Sequence, residues 1–190
     1  MNPAAKARVS GDAHRPEQPK AGYDPPGNDG TTAGVGPDLF KAVLRHHAAG
    51  VAVITAGADR PIGFCATSLA SVSLEPPLVS FAVGLRSASW TTLATARHVA
   101  VHLLTDLQEE TATRFTRPGT EKFAPGVRWH RGPYALPVLD DVLAWMVLEP
   151  TTRLHAGDHA LVIGRVIEAG HAPHGGPLIH HNGGFLQLSP

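Results

Sequence analysis

A mainly β fold is the expectation from this sequence: an antiparallel barrel with a few short helices on its outside. Three observations predict it. Short runs rich in Val, Ile, Phe and Thr recur along the chain and are separated by Gly, Pro and Asp turn chemistry. Glycine and proline are both abundant, at 20 and 17 of 190 residues, which suits many turns better than a helical bundle. No regular crossover helices separate the β-rich runs, so a doubly wound parallel sheet is disfavoured.

Residues 1–36 carry Pro, Gly, Ala and scattered charges with almost no large apolar side chains. Such a segment buries too little area to offset its ordering entropy, and a disordered N-terminal arm is expected there. The ordered domain is expected over 37–190. It opens with a helix: Leu39, Phe40, Val43, Leu44 and His47 share one face, Asp38 can cap the start, and Gly50 follows the end. VAVITA over 51–56 reads as a strand, the turn residues 57–61 follow, and IGFCATSL over 62–69 returns as its hairpin partner. Pro76 and Pro77 separate SVSLE from the strand LVSFAV at 78–83. A short helix after Ser87 presents Trp90, Leu93 and Ala94 on one face. HVAVHLLT over 98–105 is another strand, and Asp106 with Glu109 forms a capping pattern for a helix ending near Phe115. Residues 116–137 read as a loop anchored by Phe123, Trp129 and Tyr134. Strands are expected again at 141–149 and 159–168, then a Gly/His/Pro linker over 170–177 and a last strand near 185–188. The total is six or seven strands.

Composition excludes several classes of function. Sixteen basic and sixteen acidic residues cancel, which argues against bulk electrostatic binding of nucleic acid or an anionic membrane. One cysteine cannot form an internal disulfide and fits a reducing, cytoplasmic location. No apolar run is long enough to span a bilayer, and the first residues lack an apolar signal core. The twelve histidines come without HExxH, Cys-x-x-Cys or an acidic cluster, so no metal site is expected. Neither a P-loop nor a Gly-x-Gly-x-x-Gly turn is present.

The chemistry concentrates in residues 61–90. Small and hydroxyl residues at 65–73 and 87–89 bracket the apolar strand at 78–83. Free backbone N–H groups and hydroxyls at a strand end and a helix start suit a phosphate or a planar polar ring. Cys65 and Thr67 are expected on one face of their strand, Ala66 and Ser68 on the other. Small residues there permit close approach of a flat ring, and they are also ordinary strand filler. Ser87 and Ser89 can cap a helix or bind an anion with its first amides, with Arg86 alongside. Lys122, next to Phe123, can reach the same phosphate or lie solvated. His159 follows a Gly-Asp turn at a strand mouth, where it can stack on a cofactor or sit half-buried.

These stretches together resemble the flavin reductase family with the FMN-binding split-barrel fold. The resemblance covers residues 40–188 and rests on an ordered set: F…AAGVAVITA (40–56), GFCATSLASVSLEPPLV (63–79), SASW (87–90), F…GTEKFAPGVRW (115–129), AGDHALVIGRV (156–166) and PLIHHNGGF (177–185). It implies an antiparallel Greek-key split β-barrel with short flanking helices. It also implies hydride transfer from NADH or NADPH to FMN or FAD, with reduced flavin passing to a partner flavin-dependent monooxygenase. On this resemblance Gly63, Cys65, Ala66, Thr67 and Ser68 contact the flavin ring edge and ribityl chain. Ser71, Val72 and Ser73 close the pocket. Arg86, Ser87 and Ser89 take the phosphate side, and Lys122 and Phe123 approach it from a loop. His159 matches the histidine near the nicotinamide. No catalytic acid or base is required, because the two cofactors carry the chemistry. The family is usually a homodimer. This chain departs from the usual threonines at Ala49, Ala52 and Cys65, and carries His180-His181 where an aromatic pair is common. Two other roles fit the same fold: a flavoprotein that holds FMN tightly and acts on an organic substrate, and a non-enzymatic flavin-binding sensor.

Overall fold

The computed structural model describes residues 34–172 and 175–188. Most of the expected N-terminal arm, residues 1–33, lies outside the described residues.

Strand β2 (Ala52–Ala56) is the centre of the architecture. Every residue in it is buried. A strand covered on both faces reads as an unbroken apolar run, which is how AVITA reads. Ala52, Ile54 and Ala56 point into one core with Phe81, Val83, Val101 and Leu148. Val53 and the preceding Val51 point the other way, with Leu104, Phe115 and Leu139. Thr55 is tolerated because its hydroxyl donates to the Pro137 carbonyl at 2.5 Å.

β2 pairs antiparallel with β3 (Ile62–Ala66) on one side and β6 (Val99–Leu103) on the other. The sheet continues through β9 (Ala144–Ala156), β10 (His159–His171), β5 (Leu78–Gly84) and β4 (Ala70–Ser73). All its pairings are antiparallel. The sheet curls until its two halves touch: the rings of Phe64 on β3 and Phe81 on β5 lie 6.2 Å apart. Among the described residues no ladder joins β3 to β5. The Ser68 hydroxyl instead accepts from the Ala82 N–H at 2.9 Å, so the sheet is curled and split rather than closed by strand pairing.

The mainly β, antiparallel expectation therefore holds, with differences in detail. Twelve strands occur among the described residues because short pairs were hidden in apparent loop. β1 (Ala49–Gly50), β11 (Leu178–His181) and β12 (Gly184–Gln187) form a three-stranded sheet, and β7 (Trp129–Arg131) pairs with β8 (Pro137–Leu139). The first helix, α1 (Pro37–Leu44), stops earlier than expected, and Gly50 pairs with Ile179 rather than ending a helix. β9 runs past Pro150, which sits at a register shift opposite Gly164, where the missing N–H costs no regular ladder bond. The cap after β6 is shifted by one residue. The Thr105 N–H donates to Gln108 Oε1 at 3.1 Å, ahead of a 3-10 turn and helix α3 (Glu109–Thr116). Asp106 and Glu109 are not the box.

Among the described residues no helix is long and apolar enough to cross a membrane.

Candidate flavin site

Helix α2 (Ala88–Leu93) begins where β5 ends, and its first turn sets the site. Ser87 is the N-cap, as expected: its side chain accepts from the Ser89 N–H at 3.3 Å. The Ser87 N–H in turn donates to the Gly84 carbonyl at 3.0 Å, which folds the chain back at the strand end. Ser89 is buried.

A cavity of about 660 Å³ opens beside this turn. Ala88 and Ser89 form one wall, Ile62 and Gly63 of β3 another, and the loop residues Lys122, Phe123 and Trp129 a third. Its mixture of a helix start, a buried hydroxyl and apolar rings fits a phosphate-bearing aromatic ligand. The aromatic wall is a packed series. Buried Phe115 of α3 meets Phe123 edge-on at 5.5 Å, and Phe123 meets Trp129 at 5.0 Å. Arg131 lies 5.5 Å from the Trp129 ring. Sequence reading took Trp129 only as a loop anchor, and it lines the cavity as well.

Gly63 has a packing reason to be glycine. A Cβ there would meet the Phe115 ring at 2.5 Å and the Ile54 carbonyl at 3.2 Å. The small residue thus lets α3 close onto β3.

Lys122 is engaged by protein. Its ammonium donates to the carbonyl of Arg114 at 2.9 Å and to that of Arg117, closing the C-terminal end of α3. Partial burial pulls its pKa down, with the Cys65 sulfur opposing. Lys122→Met is expected to lower stability by about 1 kcal/mol and to raise the KM for flavin, since the loop carrying Phe123 is released. Chemical denaturation and steady-state kinetics check both, and an unchanged flavin KM would mean that the loop is held by other contacts.

The remaining residues divide by position. Cys65 is half-buried among Val53, Phe115 and Phe123. Burial raises its thiol pKa, against smaller effects from the Thr116 hydroxyl and Lys122. Ala66 is buried in the other core. The strand ends there, so Thr67 and Ser68 are exposed residues of the connection to β4 and do not alternate with Cys65 as expected. They line a separate cleft beside α1. Ser71 and Val72 are exposed on edge strand β4, and Ser73 is half-buried. Arg86 is exposed in the turn before α2.

His159 opens β10 directly opposite Gly84. Its Nδ1 lies 2.7 Å from Asp158 Oδ1. That hydrogen bond is the main cause holding the Asp158 carboxyl below its usual range, with Arg86 adding a little. The Leu85 N–H donates to the Asp158 carbonyl at 2.9 Å. β5 therefore ties the parts together. Ser68 bonds to Ala82, and two residues on Gly84 faces His159 and accepts from Ser87. Ser68, Ser87 and His159 are thus each tied to the last residues of β5, and none of them lines the cavity beside α2, whose helix wall is Ala88 and Ser89. Among the described residues no three His, Cys, Asp or Glu side chains gather in a metal-holding cluster.

Comparison with known proteins gives this arrangement a family. The sequence pattern of the flavin reductase like domain matches residues 44–189. The chain belongs to that family. An NADH:FMN oxidoreductase of Rhodococcus erythropolis is 37% identical over 181 residues, covering 92% of each chain. The reductase subunit HsaB of a flavin-dependent monooxygenase from Mycobacterium tuberculosis is 32% identical, covering 84% of this chain and 86% of HsaB. Among solved structures, a flavin reductase domain protein from Arthrobacter sp. FB24 superposes with a TM-score of 0.75 at 39% identity, covering 80% of this chain and 96% of that one. The NADH:FAD oxidoreductase SgcE6 of Streptomyces globisporus, in complex with NAD and FAD fragments, reaches 0.78 at 29% identity, covering 84% and 98%.

Proposed function

We infer that this chain is an NAD(P)H-dependent flavin reductase that supplies reduced flavin to a partner monooxygenase. The single observation that supports the geometry is the cavity at the start of α2, lined by Gly63 of β3, Ser89 of α2 and the loop residues Lys122 and Phe123. Its relatives that reduce FMN with NADH, or serve a flavin-dependent monooxygenase, support the same reading.

When bound, the nicotinamide and the flavin would supply the hydride chemistry themselves, and the protein's part is to hold and align the two. In this reading the first turn of α2, with Arg86, Ser87 and Ser89, holds the flavin phosphate. Gly63 and Phe123 flank the ribityl chain or ring, with Cys65 and Ala66 behind them in the strand. Lys122 holds the loop. Thr67 and Ser68, with Ser71–Ser73 beyond, border the ring's outer edge. His159 lies on the nicotinamide side, its orientation fixed by Asp158.

The working unit in this reading is a homodimer in the cytoplasm. Edge strand β4 with the turn after it, and helix α1, support it: Leu74 in that turn is 92% exposed, Val72, Leu39 and Val43 are at least half exposed, and α1 has no buried residue. Sedimentation at micromolar concentration should give a species near twice the chain mass of 20.0 kDa; a monomer there removes the dimer from the proposal.

The function is tested by steady-state oxidation of NADH and NADPH with FMN, FAD and riboflavin, after recording the absorption spectrum of the purified protein. Turnover that depends on added flavin is the expected result. No turnover with any flavin and either nucleotide overturns it.

A further inference from the structure

Helix α2 is six residues long, too short to hold its own shape in water. Two of its residues, Ala88 and Ser89, are a wall of the cavity assigned to flavin. Whatever fixes the helix therefore fixes that wall. Its front end is anchored by the Ser87 N–H on the Gly84 carbonyl. Its last residue, Leu93, is buried in the main core. The rest of the hold on its far end comes from β9.

Arg153 of β9 stands opposite Val162 of β10, which stands opposite Phe81 of β5. Directly opposed residues share a face of the sheet, and Val162 and Phe81 are both buried in the main core. A half-buried arginine on that face needs partners for its guanidinium. Among the described residues no carboxylate pairs with it. Its Nε donates to the Leu93 carbonyl at 3.1 Å, and its Nη2 to the Ala96 carbonyl at 2.6 Å. Those carbonyls lie at the end of α2 and in the turn after it, where intrahelical N–H groups run out and a cation is favoured. Two residues further along β9, on the same face, the His155 ring meets Trp90 of α2 edge-on at 6.0 Å.

We propose that Arg153 is a positioning residue for flavin: by bracketing the carbonyls of Leu93 and Ala96 it sets the angle at which α2 presents Ala88 and Ser89 to the cavity. The proposal rests on the reading of that cavity as the flavin site and adds what holds its helix wall in place. The two carbonyls are taken by different nitrogens of one planar group, which fixes an orientation as well as a distance. A lysine in its place is a point donor and imposes no such angle. Arg153 touches no ligand in this account. Its loss weakens flavin binding and leaves the hydride step, carried by the two cofactors, at its own rate once flavin saturates.

The test compares the natural protein with Arg153→Met, Arg153→Lys and, as a control for lost charge, Arg165→Met, whose guanidinium pairs with Glu149 and not with α2. Amide hydrogen exchange is followed over residues 88–96. The Kd for FMN and FAD is read from quenching of flavin fluorescence, and kcat and KM for flavin are measured with NADH in excess. In Arg153→Met the amides of 88–96 are expected to exchange faster, with Kd and KM for flavin raised about tenfold and kcat at saturating flavin retained. Arg153→Lys is expected to lie between the two, and Arg165→Met to match the natural protein. A variant that has only lost stability has a smaller folded fraction, which lowers kcat and leaves KM unmoved, so the split separates positioning from unfolding. Unaltered exchange over 88–96 overturns the proposal. So does faster exchange with unchanged Kd and KM, or an equal rise in Arg165→Met. If Arg153→Met does not fold, Arg153→Lys decides by the same readings. A natural protein that binds flavin but oxidises neither NADH nor NADPH removes the reductase reading, and exchange with Kd still decides Arg153. One that binds neither FMN nor FAD removes the flavin site and this proposal with it.

Discussion

Replacing Phe115 with alanine is expected to lower the melting temperature by about 10 °C and to raise the KM for flavin several-fold. Phe115 is among the largest fully buried side chains. It fills the space left by Gly63, packs with Val51, Val53 and Leu139, and carries Phe123 on its edge. Truncating a buried phenylalanine costs about 3–5 kcal/mol, because the cavity left behind relaxes only in part. The effect on flavin follows from the same contacts: Phe123 and Trp129 lose the surface they rest on. Phe115→Leu should recover most of the stability and part of the flavin affinity. A melt shifted by under about 3 °C, or a destabilised variant with an unaltered KM for flavin, would separate the site from this core and sink the account.

That coupling was only half legible in the sequence. AVITA and LVSFAV announced themselves because buried strands leave an apolar signature that needs no partner to be seen. β7, β8 and β11 left none. Their residues include Trp129, His130, Arg131, Pro137, His180 and His181, and pairing to a distant strand is what makes them strands. The capping register was missed by one residue for a related reason. Thr105…Gln108 and Asp106…Glu109 both satisfy the local pattern, and long-range contacts choose between them. Gln108 donates to the Asp140 carbonyl at 2.9 Å, and Thr105 bridges to Pro177.

The site was legible as a set of residues and less so as a shape. Ser87 was identifiable from the helix-start chemistry alone. Lys122 was expected either to reach the phosphate or to lie solvated, and the resemblance put it on the loop that approaches the phosphate. A lysine a few residues past a helix end also satisfies that helix's last carbonyls, and this local reading is what the structure contains. Thr67 and Ser68 were assigned a strand alternation that stops at Ala66, since the chain must leave β3 to reach the opposite edge of the sheet.

Below neutral pH the protein is expected to lose stability through His102. The ring is fully buried on β6, between Val53 of β2 and Trp145 of β9 in the sheet register. Its Nδ1 is 3.0 Å from the Val53 carbonyl, which can only accept, so Nδ1 carries the proton. Nε2 is left as a bare lone pair with no partner among the described residues. Protonation there would place a cation in an apolar site with nothing to accept its N–H. Burial accordingly lowers the pKa from 6.5 to about 4, with His130 adding to the same direction and the Val53 bond opposing. The unfolded chain therefore binds a proton more readily than the folded one. Stability is intact above the unfolded pKa and falls as the pH drops from about 6.5 towards 4, by about 3 kcal/mol in all. His102→Leu removes this titration. It is less stable at pH 7.5, having lost the bond to Val53, but its denaturation midpoint changes less between pH 7 and 4.5. The acidic groups Glu149 and Asp158 are common to both proteins, so the difference between the two slopes isolates the imidazole. Parallel slopes for the natural protein and the variant would show that His102 does not govern the acid response.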